Sequence, residues 1–257
     1  MSGADKKDWN PEAYARFRGL RLRPALDLLN GVSDLPAGAV VDLGCGDGAV
    51  APALAARFDG RDLVGVDASP AMLERAEGYT RRVQADIATW VPDAPPALIF
   101  SNAALHWLPD HTRLFPRLAG FLAPQGVLAV QMPRQFLAPS HRFLRDIAAS
   151  MFPDRFDFAS YQPPVAAAVD YHAMLSPLGA VDVWETDYVQ RLDPTEGHPV
   201  RAFTAATAMR PILEKLTGAE AAAFTAAYEQ ALGAAYPLQA DGSVLFPFRR
   251  LFLTLKV

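Results

Sequence analysis

Short apolar runs alternate with segments of helical composition through the first half of the chain. A nearly continuous apolar run of about five residues is typical of a strand that is buried on both faces of a parallel sheet. The strands are predicted at residues 40–43, 63–67, 82–87, 97–101 and 127–132, and the helices at 24–29, 49–58, 69–77 and 111–122. Strands that alternate with helices in this way predict an α/β fold with a doubly wound, mostly parallel sheet.

The pattern changes after residue 132. Residues 133–169 contain five prolines that break up any regular period, so they are predicted to be irregular. A longer strand is predicted at residues 181–192 and a last one at 251–257. Between them, Thr217 and Glu220 have the spacing of a capping box at the start of a helix. We therefore predict one domain, residues 1–257, with a helical cap at about residues 193–248 inserted before the last strand.

The turn after the first predicted strand carries glycine at alternate positions, namely Gly44, Gly46 and Gly48. Glycine suits a turn where the backbone takes a positive φ or passes close to a ligand. The helix that follows would present free N–H groups to that ligand. Strand, glycine turn and helix together are typical of a nucleotide-binding site.

The charges around this turn narrow the choice of nucleotide. Asp42 and Asp47 flank it, and Ala49 stands where a dinucleotide site has its third glycine. Two carboxylates would repel a diphosphate but attract a cation. S-adenosylmethionine is cationic at its sulfonium and ammonium groups and has no phosphate, so the turn favours this cofactor. A nicotinamide-dependent dehydrogenase and a non-catalytic S-adenosylmethionine-binding protein are the alternatives from other classes.

Acidic residues also close the next two predicted strands. Asp67 ends the second strand about 20 residues after the glycine turn, where a carboxylate accepts hydrogen bonds from ribose hydroxyls. Asp86 ends the third predicted strand. Because the carboxyl ends of parallel strands meet at one edge of a sheet, we expect both acids at the ligand-binding edge.

The composition of the chain limits which partners and which cellular compartment are expected for this protein. The chain has 257 residues, of which 51% are hydrophobic, and a formal net charge of −4, which argues against nucleic-acid or anionic-membrane binding. No apolar run is long enough for a signal peptide or a membrane span. The single Cys45 excludes an internal disulfide and is interpreted as a small buried filler. We expect a cytoplasmic monomer without a bound metal.

Several stretches of the chain resemble the class I S-adenosylmethionine-dependent methyltransferases and, within that class, the bacterial trans-aconitate 2-methyltransferases. The matching stretches are DWNPEAYARF, RPALDLL, VVDLGCGDG, VGVDASPAML, ADIATW, LIFSNAALHWLPDHTRLFPRLAGFLAPQGVLAVQMP, TAMRP, AYPLQADG and RRLF. They span almost the whole chain. The resemblance implies a seven-stranded sheet whose last two strands form an antiparallel hairpin, with a helical lobe that covers the substrate.

The resemblance also implies which residues bind the cofactor. The glycine turn would line the methionine part, Asp67 would take the ribose hydroxyls, and the segment after the third strand would meet the adenine. The implied cofactor-binding residues are Asp42, Gly44, Gly46, Gly48, Asp67, Ala68, Asp86, Ile87, Asn102 and Arg23. Asn102 would present its backbone to the methionine ammonium.

The implied reaction is methyl transfer to a carboxylate of trans-aconitate or a closely related small polycarboxylic acid, giving a monomethyl ester and S-adenosylhomocysteine. A carboxylate is ionised at neutral pH, so no general base is expected. Arginines can hold the other carboxylates through paired hydrogen bonds, and aromatic side chains can keep the pocket dry. The predicted substrate-binding residues are Arg210, Arg250, Tyr236, Arg134, Tyr14, Trp9, His106 and Trp107. Another free carboxylate, such as that of a malonyl thioester, is the alternative acceptor.

Overall fold

The computed structural model describes residues 18–32, 34–205 and 207–257. Strands and helices alternate up to residue 133, and helices dominate between residues 139 and 235. The strands are β1 (Val40–Leu43), β2 (Leu63–Asp67), β3 (Arg81–Gln84), β4 (Leu98–Asn102), β5 (Val127–Pro133), β6 (Ala180–Leu192) and β7 (Val244–Lys256). The helices are α1 (Arg18–Asn30), α2 (Ala51–Arg57), α3 (Pro70–Arg75), α4 (His111–Ala119), α5 (Pro139–Met151), α6 (Ala168–Leu175), α7 (Pro199–Ala205), α8 (Arg210–Leu213) and α9 (Gly218–Ala235), with a 3-10 turn at Leu105–Trp107.

The strands form a seven-stranded sheet in the order β3-β2-β1-β4-β5-β7-β6. The pairs β1–β2, β1–β4, β2–β3 and β4–β5 are all parallel. The chain leaves β1 toward β2 on one side and returns to β4 on the other, so the strand order reverses between β1 and β4. This reversal opens a crevice at the carboxyl ends of the two strands, which is where ligands bind in open α/β sheets. The predicted doubly wound, seven-stranded sheet is confirmed.

The chain folds into two compact units. Among the described residues, the first consists of those up to Met132, Ala166–Glu185 and Leu251–Val257, and the second of those in Pro133–Val165 and Thr186–Arg250. Strands β6 and β7 each continue from one unit into the other. The second unit contains α7, α8 and α9, which lie within the range of the predicted cap, residues 193–248, together with α5.

The first unit has an apolar core on β1, β4 and the helices beside them. Leu43, Phe100 and Phe115 are fully buried there. Burying a side chain of this size stabilises a fold by about 1.5–3 kcal/mol relative to leaving it in water. The rigid sheet that results fixes the positions of the strand ends.

The second unit has a separate aromatic core. One face of α9 presents Phe224, Tyr228 and Leu232, each four residues apart and each fully buried, against side chains of α5 and β7. The predicted capping box starts this helix, since the Thr217 N–H donates to Glu220 Oε2 at 2.8 Å. Sequence pattern and packing agree along the whole of α9.

The structure corrects three predicted boundaries. β3 ends at Gln84 rather than at Ile87, so Asp86 lies beyond the strand. The segment predicted to be irregular contains α5, because Pro139 lies in the first turn of that helix, where its missing N–H is harmless. β7 begins at Val244, seven residues earlier than predicted, so Arg249 and Arg250 lie inside it. Within the described residues, no helix combines the length and hydropathy needed to cross a lipid bilayer.

Candidate active site

The glycine turn after β1 has the backbone that its sequence predicts. Gly44, Gly46 and Gly48 have φ of +80°, +55° and +80°, which side chains with a Cβ adopt only under strain. A Cβ on Gly44 would lie 2.3 Å from Cβ of Ala104, well inside contact distance. Around a Cβ on Gly46, by contrast, no atom of the described chain lies within 4 Å. The turn therefore has no room for a side chain at Gly44, whereas the space in front of Gly46, where a Cβ would project, is open.

Asp67 joins this turn to the end of β2. Its Oδ2 accepts a hydrogen bond from the Gly46 N–H at 2.8 Å, and its Oδ1 accepts one from the Ser69 N–H at 2.9 Å. Ser69 caps α3, because its Oγ accepts a hydrogen bond from the Met72 N–H at 3.3 Å. A carboxylate has about four acceptor positions, so these two bonds leave Asp67 able to accept from hydroxyl groups of a ligand. Its side chain is half-buried at the crevice.

Asp42 lies deeper than the sequence suggests. It is 2% exposed, and its Oδ2 accepts a hydrogen bond from the Tyr79 hydroxyl at 2.6 Å. Burial raises the pKa of Asp42 to about 7, the Tyr79 hydrogen bond opposes the rise, and the charge of Asp67 adds to it. Tyr79 packs over Gly65, where a Cβ would lie 2.9 Å from the ring. Sequence reasoning missed Tyr79, although a glycine inside a buried strand is a signal that another group approaches closely.

Cys45 is a buried part of the turn and not a nucleophile. It is 8% exposed, and burial together with the charges of Asp42 and Asp67 raises the pKa of its thiol. A thiol that stays protonated is a poor nucleophile. In the part of the chain that the structure describes, no three His, Cys, Asp or Glu side chains are grouped to hold a metal ion.

The segment after β3 lies beside the glycine turn. Ile87 is half-buried, and its Cδ1 lies 3.4 Å from the position of a Cβ on Gly44. Asp86 is exposed and accepts a hydrogen bond from the Ala88 N–H at 2.9 Å. Arg117 of α4 donates to the carbonyl of Ile87 at 2.6 Å and holds the segment in place. Arg117 is a supporting residue that sequence reasoning missed, since 30 residues separate it from its partner.

The segment after β4 is strained. Ala103 has a φ of +55°, and its N–H donates to the carbonyl of Gln131 on β5 at 2.9 Å. An alanine in the left-handed region costs about 1–2 kcal/mol, so the surrounding contacts must hold it there. Asn102, directly before it, is half-buried at the end of β4.

The 3-10 turn that follows presents His106 and Trp107. His106 is 8% exposed and Trp107 is 59% exposed, with their ring centroids 4.6 Å apart. His111 holds this turn: its Nε2 lies 3.0 Å from the carbonyl of Leu105 and its Nδ1 lies 2.6 Å from the Tyr171 hydroxyl. Burial lowers the pKa of His111, so it remains a neutral structural histidine near pH 7.

The remaining predicted residues lie apart from this cluster or outside the described chain. Ala68 is exposed directly after Asp67. Arg23 is exposed on α1, with its Nε 4.0 Å from Asp27 Oδ2. Trp9 and Tyr14 lie outside the described residues.

The predicted arginines of the substrate site belong to the second unit and differ in burial. Arg250 is 6% exposed, with its guanidinium carbon 4.5 Å from the ring centroid of Phe248. Arg210 is half exposed and pairs with Glu214 at 2.9 Å, one helical turn away. Arg134 is half-buried. Burial against an aromatic ring fixes the orientation of Arg250, whereas Arg210 is already paired at the surface.

Tyr236, predicted as a neutral helper at the substrate, lies in the core of the second unit. It is 7% exposed, and its hydroxyl accepts a hydrogen bond from the Ser140 N–H at 3.2 Å. Its ring packs edge-on against Phe246. These contacts give Tyr236 a packing role in the second unit.

Known proteins resemble this chain over its whole length. A family model described as a methyltransferase domain matches residues 14–169. A trans-aconitate 2-methyltransferase of Methylobacterium radiotolerans is 42% identical, covering 96% of this chain and 97% of that protein. One of Methylobacterium nodulans is 44% identical, and one of Escherichia coli is 41% identical, each with the same coverage. The chain belongs to the trans-aconitate 2-methyltransferase family. It is an S-adenosylmethionine-dependent methyltransferase, as the resemblance of its motifs implies.

Solved structures agree on the fold of this methyltransferase. The YcgJ protein of Bacillus subtilis superimposes with a TM-score of 0.56 at 15% identity, covering 91% of this chain and 98% of that one. Phosphoethanolamine N-methyltransferase 2 of Haemonchus contortus, solved in complex with S-adenosyl-L-methionine, gives a TM-score of 0.51 at 18% identity. The match covers 91% of this methyltransferase and 52% of the Haemonchus protein.

Proposed function

We propose that this methyltransferase esterifies one carboxylate of trans-aconitate, or of a closely related small polycarboxylic acid, giving the monomethyl ester and S-adenosylhomocysteine. The observation that supports this most strongly is the 41–44% identity to trans-aconitate 2-methyltransferases over 96% of the chain. The family rules out the nicotinamide-dependent alternative. A malonyl thioester is the competing acceptor, because it also offers a free carboxylate.

The glycine turn fits the cofactor. The open space in front of Gly46, which a Cβ would enter, suits a group that lies against the backbone. The spare acceptor positions of Asp67 suit the ribose hydroxyls, and the exposed Asp86 and half-buried Ile87 suit the adenine. We therefore propose that the implied cofactor residues act as the family resemblance suggests, with Asp67 and the turn making the main contacts. Arg23, which is exposed beside Asp27, has the weakest structural support.

The negative surroundings of the turn suit a cationic cofactor. Asp42 and Asp67 both lie at the turn, and the charge of Asp67 helps to raise the pKa of Asp42. A positive charge nearby would draw Asp42 toward its ionised form, since opposite charges favour the charged state. The cofactor supplies a methyl group on a positively charged sulfur, so these carboxylates act as fixed counter-charges.

The protein contributes positioning to the reaction and no general base. The acceptor carboxylate is already ionised at neutral pH, so no proton has to be removed. Holding the attacking oxygen about 3 Å from the methyl carbon, in line with the bond that breaks, accounts for most of the expected acceleration. Water exclusion helps further, because opposite charges neutralise each other during transfer. Trp107, and Trp9 and Tyr14 outside the described residues, remain proposed as walls of this pocket.

Arginines are proposed to bind the carboxylates that do not react. Arg250 has the best support, because it is buried and its guanidinium is fixed over Phe248. Arg210 and Arg134 follow. His106 and Tyr236 remain proposed as further substrate contacts, although Tyr236 also packs in the core of the second unit. We further propose that the protein acts as a cytoplasmic monomer, and its net charge of −4 argues against nucleic-acid partners.

The proposal is tested with a panel of acceptors and methyl-labelled cofactor. The panel contains trans-aconitate, cis-aconitate, citrate, isocitrate, a malonyl thioester, an amine and a phenol. We expect label in a base-labile ester of a polycarboxylate, with trans-aconitate as the best acceptor. Preferred methylation of the thioester, amine or phenol would overturn the substrate assignment, and cofactor binding with no transfer to any acceptor would favour the non-catalytic alternative.

A further inference from the structure

Gln131 of β5 is a buried amide whose polar atoms have no hydrogen-bond partner. Its side chain is 0% exposed, and within the described chain neither Oε1 nor Nε2 has a partner. Leaving a buried polar group unsatisfied costs about 1–3 kcal/mol, and native proteins rarely keep one without a reason. A leucine or methionine here would avoid this cost, so the amide requires an explanation.

The strand register places Gln131 in line with the candidate site. In the parallel pair β4–β5, Gln131 is the partner of Asn102. In the pair β1–β4, Asp42 is the partner of Phe100, so Gly44 aligns with Asn102 two positions later. The Gly44 N–H donates to the carbonyl of Val66, which brings Asp67 into the same row. Asp67, Gly44, Asn102 and Gln131 thus form one row across the carboxyl edge of the first unit.

The distances between the four residues of this row indicate which part of a ligand each of them could contact. Neighbouring strands are about 4.8 Å apart, so Gln131 lies about 10 Å from Gly44 and about 14 Å from Asp67 along the edge. If Asp67 holds the ribose and the glycine turn holds the methionine part, the next position beyond Asn102 faces the methyl acceptor. Gln131 is the last member of the row on that side.

Two further observations set this end of the row apart. Oδ1 of Asn102 is also buried without a partner among the described residues. Ala103, between them, is in the left-handed region and donates its N–H to the Gln131 carbonyl. Unsatisfied polar groups and backbone strain tend to collect where a protein binds ligands. Here both features occur together at the carboxyl ends of the neighbouring strands β4 and β5.

We propose that Gln131 binds the reacting carboxylate of the acceptor, donating a hydrogen bond from Nε2 to the oxygen that does not attack. This inference rests on the proposed function and extends it to a residue outside the predicted site. Because the amide is enclosed, the acceptor reaches it only when the side chains that cover it move.

A neutral donor suits the carboxylate that reacts better than a guanidinium does. The reacting carboxylate loses its negative charge as the ester forms. A positively charged partner would bind it more tightly before the reaction than in the transition state, which would slow the chemical step. A neutral amide orients the same oxygen with a smaller difference between the two states. Arginine is therefore suited to the carboxylates that keep their charge, and Gln131 to the one that loses it.

The test compares Gln131→Met with Gln190→Met. Methionine matches the length of glutamine but forms no comparable hydrogen bond. Gln190 on β6 is the matched control, because it is 6% exposed and its Oε1 also lacks a partner in the described chain. We expect Gln131→Met to lower kcat/KM for the acceptor about 10- to 100-fold, the range for losing a hydrogen bond to a charged group. The Kd of S-adenosylhomocysteine should change less than twofold, and the Tm should stay the same or rise.

The control and the contrary outcomes are distinct. Gln190→Met should keep kcat/KM within twofold of the unaltered protein. Unchanged kcat/KM in Gln131→Met, an equal loss in both variants, or an equally large loss of S-adenosylhomocysteine affinity would overturn the inference. The unaltered protein assayed on the acceptor panel tests the proposed function by itself, so the ratio of variant to unaltered activity tests Gln131 separately.

Gln131→Glu gives a signature that a structural role would not produce. An ionised glutamate would repel the reacting carboxylate, whereas a protonated one can donate a hydrogen bond as the amide does. As the pH falls from 8 to 5.5, kcat/KM of Gln131→Glu should therefore recover relative to that of Gln131→Met. A constant ratio of the two activities across this range would contradict the proposal.

Discussion

The carboxyl edge of the first unit and the core of the second unit use buried polar groups in opposite ways. In the second unit, the Tyr228 hydroxyl donates to the carbonyl of Ser140 at 2.6 Å and lies 3.2 Å from Thr204 Oγ1. The Ser140 N–H in turn donates to Tyr236. This network is satisfied internally, so it specifies how α5, α7 and α9 pack against one another.

At the edge of the first unit, polar atoms and strained backbone are left over after folding. Gln131 and Asn102 have buried atoms without partners in the described chain, and Ala103 is held in a left-handed conformation. Each of these features lowers the stability of the fold. We expect the edge to bind the ligand and the second core to contribute stability, and substitutions in each region should separate the two.

The largest effect is expected at the glycine turn. In Gly44→Ala, the new Cβ would lie 2.3 Å from Cβ of Ala104, and the residue would keep a φ of +80°. Overpacking and left-handed strain together cost about 2–5 kcal/mol, so the turn should distort and S-adenosylhomocysteine affinity should fall at least about 30-fold by calorimetry. Gly60→Ala is the matched control, because it has a φ of +77° and, in the described chain, open space around the added Cβ. Equal losses of affinity in both variants would mean that strain alone is responsible.

The next largest effect is expected for Arg250→Ala. Losing a buried, oriented guanidinium should raise KM for the polycarboxylate about 10- to 100-fold while the Kd of S-adenosylhomocysteine is unchanged. Arg210→Ala should raise KM less, because Arg210 is half exposed and already pairs with Glu214. Steady-state kinetics on both variants check the order. A larger effect at Arg210 would reverse our ranking of the two arginines.

A tenfold effect is expected from pH through Asp42. Burial raises its pKa to about 7, so below that pH the folded protein holds a proton that a bound cation would expel. Affinity for S-adenosylmethionine should therefore rise about tenfold between pH 6 and 8. In Asp42→Asn this rise should vanish. A similar rise in that variant would assign the titration to another group.

The same shift has a stability consequence of opposite sign. The folded protein binds the Asp42 proton more tightly than the unfolded chain does, so this residue's contribution to stability falls as the pH rises from about 4 to 7. Denaturant titrations of the unaltered protein and of Asp42→Asn should diverge across that range. Parallel curves would show that Asp42 ionises normally in the folded state.

The smallest effect on activity is expected in the second core. Tyr228→Phe leaves the Ser140 carbonyl without its donor, which should lower the free energy of unfolding by about 1–3 kcal/mol. The Kd of S-adenosylhomocysteine should stay the same. Tyr161→Phe is the control, because the ring of Tyr161, which the substitution keeps, makes the contact of this residue. The Arg145 guanidinium carbon lies 3.8 Å from the ring centroid. A loss of cofactor affinity in Tyr228→Phe, without a loss of stability, would break the division between the two regions.

The sequence by itself determined the features that depend on neighbours along the chain. Positive φ at Gly44, Gly46 and Gly48, the Ser69 cap, and the capping box of Thr217 and Glu220 are local, because a few consecutive residues decide each of them. The apolar runs located the parallel strands for the same reason. Where local signals conflicted, as at Pro139 in the first turn of α5, the prediction was wrong.

Only the tertiary structure decided what surrounds each side chain. Tyr79 reaches Asp42 across 37 residues, and the burial of this carboxylate, which the tertiary packing decides, raises its pKa to about 7 although the Tyr79 hydrogen bond opposes the rise. The register of β4 and β5 brings Gln131 beside Asn102. The residues next to Gln131 along the chain do not show which residue of β4 is its partner. Burial, ionisation and the pairing of polar atoms depend on groups that are distant in sequence and adjacent in space, so composition and spacing do not contain them.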